Sequence, residues 1–329
     1  MAPMGTVTFE EVPTKWLAAA GHWVDMGLAL GRDPPAGVWN SGYYITKPYY
    51  EEIPDVSVDK SEMIDLINNG GMSKEVFYEI GADVHVMDPN RILYRFKNFE
   101  RADIEQISTN VAPFFGNTIH SGHYPWHDYR YYTMYEAFEK LSQVFQQQER
   151  YNAFAELHTE FLRTIETNLP DGNHPSVAII KSGSNEPEKF KPLTIDENGT
   201  SFKQWHDLEV HDAFADTNVN DYHATGTGYI DYESLLEIDP DMLMIRAHEQ
   251  QTAKQFRNTV VEFMKNHPVA SELDAVKKGH VFRGGPYFQG PIQNLVVTER
   301  AANQVYPDAF DGVKLYDPQR VSDIVRGRF

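Results

Sequence analysis

Two stretches, "KEVFYEIGADVHVM" (Lys74 to Met87) and "YESLLEIDPDMLMI" (Tyr232 to Ile245), align without a gap. Each reads Glu, three residues, Glu-Ile, two residues, Asp, then an apolar tail. The first part of each phrase has helical spacing, and the tail has the short apolar run of a buried strand. One chain therefore writes the same helix–turn–strand unit twice, about half its length apart.

Working outward, the same alternation continues on both sides. "KWLAAAG" reads as a strand, "VDMGLALG" as the helix behind it and "AGVW" as a second strand. "IEQIS" before "TNVAPFF" adds a further helix–strand step. Past the middle, "SVAII" is a strand, "DYESLLEID" a helix leading to the strand "MLMI", and "TAKQFRNTVVEFMKNH" a longer helix. "HVF" is the last strand and "NLVVTERAANQVY" a closing helix. Alternation of this kind predicts an α/β fold with mostly parallel sheets flanked by helices. Between the two blocks, Tyr132 to Leu169 lacks proline and glycine and carries apolar residues at helical spacing. The "QQQER" segment marks a joint, followed by a helix from about Glu149 to Leu169 that "PDGNHP" stops. The expected organisation is an N-terminal α/β lobe over 1–130, connecting helices over 131–170, among them a long rigid interlobe helix, and a C-terminal α/β lobe over 171–329.

Composition narrows the class of function. The 329 residues carry a formal net charge of -19 and no cysteine. Disulfides, thiolate metal sites and cysteine nucleophiles are excluded. A nucleic-acid partner is disfavoured because a phosphate backbone needs a basic face. An acidic surplus means a solvated surface, and a high-salt habitat is the sharper reading. The absence of thiols fits a cytoplasmic protein and equally an exported one. The opening "MAPMGTVTFEEVP" lacks the layout of a signal peptide, which leaves a cytoplasmic start or a mature exported domain.

Taken in order, four segments resemble the substrate-binding proteins of ABC importers for ferric siderophores, cobalamin or haem, the class III periplasmic binding proteins. They are "GTVTFEEVPTKWLAAAGHWVDMGLALG", the two doubled phrases, and "ELDAVKKGHVFRGGPYFQGP…AANQVYPDAF". Ala82 stands where that family usually has proline, although Pro240 keeps it in the second copy. "INNGGMSKE" and "NTIHSGHYPWHDYRYY" look like additions. The resemblance implies a monomeric, extracytoplasmic, lipid-anchored carrier with no resident cofactor. Its ligand would be a ferric siderophore, with cobalamin or haem as the alternative, and it would reach the membrane through an ABC permease. In similar proteins one glutamate on each lobe docks with permease arginines, and Glu75 and Glu233 are the matching positions, with Glu79 and Glu237 one turn on. First-turn carboxylates also have a purely structural use, stabilising the helix dipole by about 0.3–1 kcal/mol.

Candidate ligand contacts follow from the fold class itself. In open parallel sheets, ligands bind beyond the carboxyl ends of the strands. "SVAII" is followed by Lys181, "MLMI" by Arg246 and "HVF" by Arg283, three cations delivered at one end of a sheet. The first block leads into His22 and Trp23, into Trp39, Asn40 and the pair Tyr43–Tyr44, and into Asp88 and Arg91. "TNVAPFF" adds Phe114 and Phe115, one of which is expected in the core. Trp23, Trp39, Tyr43, Arg91, Lys181, Arg246, Arg283 and Tyr287 are the expected ligand contacts, giving one aromatic wall and one cationic wall. His120, His123 and His127 have a spacing that could hold zinc with Asp128. Glycine and proline interrupt the stretch, and no metal site is assigned. Asn198 fits the glycosylation pattern. A zinc or manganese carrier and a two-domain α/β enzyme stay as alternatives, although the G-x-S-x-G, P-loop and H-E-x-x-H patterns are absent.

Overall fold

The computed structural model describes every residue except 123, 173, 196–198, 223–225 and 227. The doubled phrase folds as the same unit in both places. Helix α3 (Glu75–Ile80) ends on left-handed Gly81 (φ 59°), and the strand Val84–Val86 follows. The helix Tyr232–Ile238 ends on left-handed Asp239 (φ 51°), and the strand Met242–Arg246 follows. The repeated aspartate has one job in both copies. Asp83 Oδ2 accepts from the backbone N–H groups of Thr14 (2.9 Å) and Lys15 (2.8 Å). Asp241 Oδ2 accepts from the N–H of Ser176 at 2.9 Å. Each carboxylate thus ties the start of one strand to the start of its parallel neighbour. Asp231 caps its helix, accepting from Ser234 N. Ser73 does not occupy the corresponding place, because Lys74 is the N-cap of α3 and offers no side-chain cap.

In chain order the first sheet contains β1 (Trp16–Ala18), β2 (Gly37–Val38), β3 (Ile64–Asp65) and β4 (Val84–Val86), all parallel in the order β3-β2-β1-β4. Helices α1 (Gly21–Ala29), α2 (Lys47–Tyr50), α3, α4 (Pro89–Arg95) and α5 (Arg101–Asn110) accompany it. The "TNVAPFF" run adds a single bridge, His85 to Phe114, rather than a strand. Helices α6 (Met134–Val144) and α7 (Gln148–Asn168) follow, with left-handed Gln146 (φ 52°) at the joint. At 1.5 Å per residue the 21 residues of α7 span about 31 Å.

The second sheet contains β5 (Ser176–Lys181), β6 (Lys191–Leu193), β7 (His211–Asp212), β8 (Met242–Arg246) and β9 (Val281–Arg283). Only β6 runs antiparallel among these pairings, against β5. The closing helix begins earlier than its apolar pattern suggests, at Pro291, and runs to Val305. Proline fits there because the first helical N–H has no partner to lose. Two more helices follow, Pro307–Phe310 and Pro318–Val325, and the last packs back on α7 and α1.

Alternate strand residues face different cores, as a sheet covered on both sides requires. Trp16 and Ala18 of β1, Val177 and Ile179 of β5, and Met242 and Met244 of β8 join one apolar core. That core also takes in Phe154, Leu157, Phe161 and Ile165 of α7. The opposite faces close two smaller cores: Leu17 with Phe77 and Ile107, and Ala178 and Leu243 with Leu235 and Phe256. Helix α7 is therefore more than a tie, since the shared core runs past it from one sheet to the other.

Polar groups also knit the halves together. Asp25 on α1 is fully buried and accepts from Ile292 N (2.9 Å) and Gln293 N (3.4 Å), capping the Pro291–Val305 helix. Tyr50 donates to its other oxygen, and Tyr44 stands 2.7 Å behind Tyr50. Gly290 is obligatory at this crossing, because a Cβ there would lie 2.5 Å from Asp25 Oδ2. Burial raises the Asp25 pKa to about 7, with the hydrogen bonds from Tyr50, Ile292 and Gln293 pulling the other way. A group that holds its proton more tightly when folded stabilises the fold at low pH and loses that contribution as pH rises through its folded pKa. Thermal stability is expected to fall between about pH 4 and pH 7 and then level off. Asp25→Asn should flatten that segment, which calorimetric scans of both proteins from pH 4 to 8 will check.

Candidate functional site

A cavity of about 690 Å³ lies between the halves, beyond the carboxyl ends of strands from both sheets. β1 delivers Ala19 to Trp23, β2 delivers Trp39 and Asn40, β3 delivers Ile67, and β4 delivers Asp88 and, one helical turn on, Arg91. From the second sheet, β5 delivers Lys181 and the segment after β9 delivers Tyr287 and Phe288. Six of the eight expected ligand contacts therefore meet in one place: Trp23, Trp39, Tyr43, Arg91, Lys181 and Tyr287. Tyr43 stands at the rim, 61% exposed, whereas Trp23 is wholly buried in the floor. Trp39 packs edge-on against Phe96 at 5.6 Å, and its indole N–H has no acceptor among the described residues.

Arg246 and Arg283 are not on the cavity wall, which corrects the expectation for two of the three strand-end cations. Arg246 is 2% exposed, lies over the Phe202 ring at 4.7 Å and donates to the carbonyls of Ser201 and Gly284. Arg283 donates to the carbonyl of Gln251 and faces the carboxylate of Glu249. Parallel strands end at one level, but β8 and β9 are overlaid there by the 200–202 turn and by the chain leaving β9, so their terminal cations serve backbone carbonyls. Phe114 and Phe115 are both in the core, not one of them alone.

The charged groups that do face the cavity are short of partners. Arg91 stacks on Tyr124 at 4.2 Å, and its Nε and Nη1 meet no hydrogen-bond acceptor among the described residues. Lys181 lies 5.8 Å from the Tyr287 ring centroid. Burial lowers its pKa, and the nearby charges of Lys191 and Arg246 lower it further. Arg95 adds a third cation to the lining. Asp88 is the one carboxylate among the described lining residues, and it is already engaged. It caps α4 through Asn90 N (3.0 Å), accepts from Thr118 N (3.0 Å) and receives the Tyr129 hydroxyl (2.6 Å). Burial outweighs those bonds and raises its pKa. The lining is thus net cationic inside a protein of net charge -19.

His22 and His120 stand 5.8 Å apart on the lining, and Phe288 packs against both. Burial lowers the His22 pKa to about 3, so its ring is neutral at ordinary pH. His127 stacks on Trp126 and is likewise lowered to about 4 by burial. His123 and Asn198 lie outside the described residues. Among the described residues, no group of three or more His, Asp or Glu side chains is arranged to hold a metal ion.

Sequence reasoning missed Phe288, Tyr124, Tyr222, Arg95 and Thr118 as lining residues. Phe288 follows Tyr287 directly, and Arg95 lies one helical turn beyond Arg91, so these two had a local signal. Tyr124 comes from irregular chain, and Tyr222 from a stretch with no apolar periodicity to place it. Glu75 and Glu233 are exposed in the first turns of equivalent helices, as are Glu79 and Glu237 further along them.

Two α/β halves with a ligand-sized cavity between them define a solute-binding architecture. Residues 88–287 match the family described as periplasmic binding protein, and the chain belongs to that family. No curated protein matches the sequence. Among solved structures, the siderophore-binding protein FhuD from Vibrio cholerae bound to Fe3+–Desferal superposes with a TM-score of 0.57 at 14% identity, covering 89% of this chain and 97% of that one. The triscatecholate siderophore-binding protein FeuA from Bacillus subtilis, complexed with ferri-bacillibactin, gives 0.58 at 16% identity, covering 92% and 97%. CeuE of Helicobacter pylori with Ni(II) bound gives 0.60 at 12% identity, covering 93% and 88%. The shared fold is class III, and the family places the protein on the extracytoplasmic side of an import system.

Arg91 is half-buried, with Nε and Nη1 meeting no acceptor among the described residues, and an apolar side chain of similar size leaves no such donors unmet. Arg91→Met is expected to keep or raise the melting temperature of the ligand-free protein, as urea and thermal unfolding will report. A drop of several degrees would show that Arg91 has a structural partner.

Proposed function

We propose that this protein captures an anionic ferric siderophore in the interlobe cavity and delivers it to the permease of an ABC importer. The observation that carries the reading is the pair Arg91 and Lys181, which face the same cavity from opposite halves with Asp88 as the lone carboxylate among the described lining residues. An arginine fork suits carboxylate or catecholate oxygens. Trp39, Tyr43, Tyr287 and Phe288 supply flat apolar area beside them. The volume suits a chelate of drug-like size. The protein acts by binding, not by catalysis, and carries no resident cofactor. It works as a monomer in the periplasm or at the cell surface, held by a lipid anchor, and touches the bilayer otherwise only through the permease.

Tryptophan-fluorescence quenching tests the ligand, with Trp23 and Trp39 at the cavity as reporters. The panel comprises a ferric tris-catecholate, a ferric carboxylate chelate, a cationic ferric hydroxamate, haem, cobalamin and zinc ion. Submicromolar quenching is expected from an anionic iron chelate. Arg91→Gln or Lys181→Gln should each weaken it roughly 10- to 100-fold, the value of a hydrogen bond to a charged group. Tight binding of the cationic hydroxamate alone, or of none of the iron chelates, would sink the reading.

Glu75 and Glu233 are the proposed permease contacts. Charge reversal at either should leave chelate affinity unchanged and lower uptake in reconstituted transport. Uptake that is unaffected in the double variant would remove both residues from the docking surface.

A further inference from the structure

Beside Lys181 and Tyr222, the second half contributes to the cavity wall a strap, residues 284–290, that leaves β9 and enters the Pro291–Val305 helix. Its backbone is buried except where Tyr287 and Phe288 emerge into the cavity. Each end of the strap meets a buried carboxylate. At the start, Gly285 N donates to Glu249 Oε1 at 3.1 Å. At the end, Ile292 N and Gln293 N donate to Asp25 Oδ2. The carboxylates come from different halves, Glu249 from the segment after β8 and Asp25 from α1.

Two consecutive residues of α2 hold both of them. Tyr49 donates its hydroxyl to Glu249 Oε2, and Tyr50 donates its hydroxyl to Asp25 Oδ1. Both rings are buried, at 0% and 4% exposed. Arg300 completes the Glu249 site at 2.9 Å, and its own helix is the one that Asp25 caps. Helix α2 follows the rim residue Tyr43 and belongs to the first half. A dipeptide of one half thus seats both anchors of the strap that forms the other half's wall.

We propose that Tyr49 and Tyr50 are positioning residues for ligand binding. Acting through Glu249 and Asp25, they set where Tyr287 and Phe288 stand in the cavity. Neither tyrosine lines the cavity. The consequence is that the wall of the second half is keyed to the first half. Ser201 Oγ also donates to the Tyr287 carbonyl at 2.5 Å from within the second half, so the aromatic pair is held from both sides and its movement is coupled to the interlobe contact at α2.

The inference rests on the binding function proposed above only in its affinity measurement. The variants are Tyr49→Phe, Tyr50→Phe and the double variant, in the full chain. Hydrogen exchange without ligand reads the strap directly. Tyr50→Phe should speed exchange at Ile292 and Gln293, and Tyr49→Phe at Gly285, each by roughly tenfold, the value of one hydrogen bond to a charged group. Amides of β5 and β8 should keep their rates. Ferric tris-catecholate affinity should fall roughly tenfold in the double variant. In a Tyr287→Ala, Phe288→Ala background the same double substitution should cause no further loss, because its route of action is gone. Unchanged strap exchange overturns the proposal, and so does a full additional affinity loss in the background lacking both rings. Should the double variant fail to fold, Asp25→Asn carries the same two measurements for the Tyr50 end. If no chelate binds at all, the proposed ligand is wrong and the exchange measurement alone decides this point.

Discussion

Two aspartate side chains set the frame on which everything else stands. Asp83 fastens the start of β4 to the chain entering β1, and Asp241 fastens the start of β8 to the start of β5. A parallel sheet has no hairpin turn to fix its register, so the pairing must be specified elsewhere. With the strand starts held level, the strands also finish level. Their carboxyl ends then present Ala19 to Trp23, Asp88 and Lys181 to one enclosed space.

That space carries a charge pattern opposed to the surface around it. The protein has a net charge of -19, yet Arg91, Arg95 and Lys181 face the cavity with Asp88 as their lone carboxylate among the described lining residues. Asp88 spends its acceptor capacity on Asn90, Thr118 and Tyr129, so it neutralises little. A site built this way leaves its lining net cationic, which is the feature the proposed anionic ligand would use. The buried carboxylates elsewhere behave differently because their surroundings differ. Glu249, beside Arg300 and Arg283, is held below the usual carboxylate range despite its burial. Asp25 has only hydroxyl and amide donors and is raised to about 7.

Reading the residues in order recovers the architecture well and the site in part. Strands β1, β4, β5 and β8 announce themselves as short apolar runs between turn signals, and the doubled phrase shows that the second half repeats the first. The rule that ligands gather at strand ends then picks out Trp23, Trp39, Tyr43, Arg91 and Lys181 correctly as cavity residues. The same rule fails for Arg246 and Arg283, because it gives the end of the sheet and not what covers it. Strands β8 and β9 are roofed by the 200–202 turn, by the start of the 284–290 strap and by the chain leaving β8, so those guanidinium groups serve carbonyls of Ser201, Gly284 and Gln251. Tyr124 and Tyr222 enter from chain without periodic pattern, and nothing local marks them.

The sequence by itself determined the two α/β halves, the helix α7 between them and the class of binding protein to which they belong. The halves and the helix rest on local period, on turn chemistry and on a phrase written twice, all of which act between residues near in the chain, and the class rests on the resemblance of four segments to a known family. The tertiary structure alone decided which cations face the cavity, that Tyr49 grips Glu249 across the seam, and that Tyr50 grips Asp25 within the first half. These depend on contacts between residues 200 and 25 positions apart in one case and the other. Whether a strand-end arginine points into a cavity or into a carbonyl is settled by what packs over it. That packing is a property of the assembled fold and leaves no mark on the few residues around the arginine.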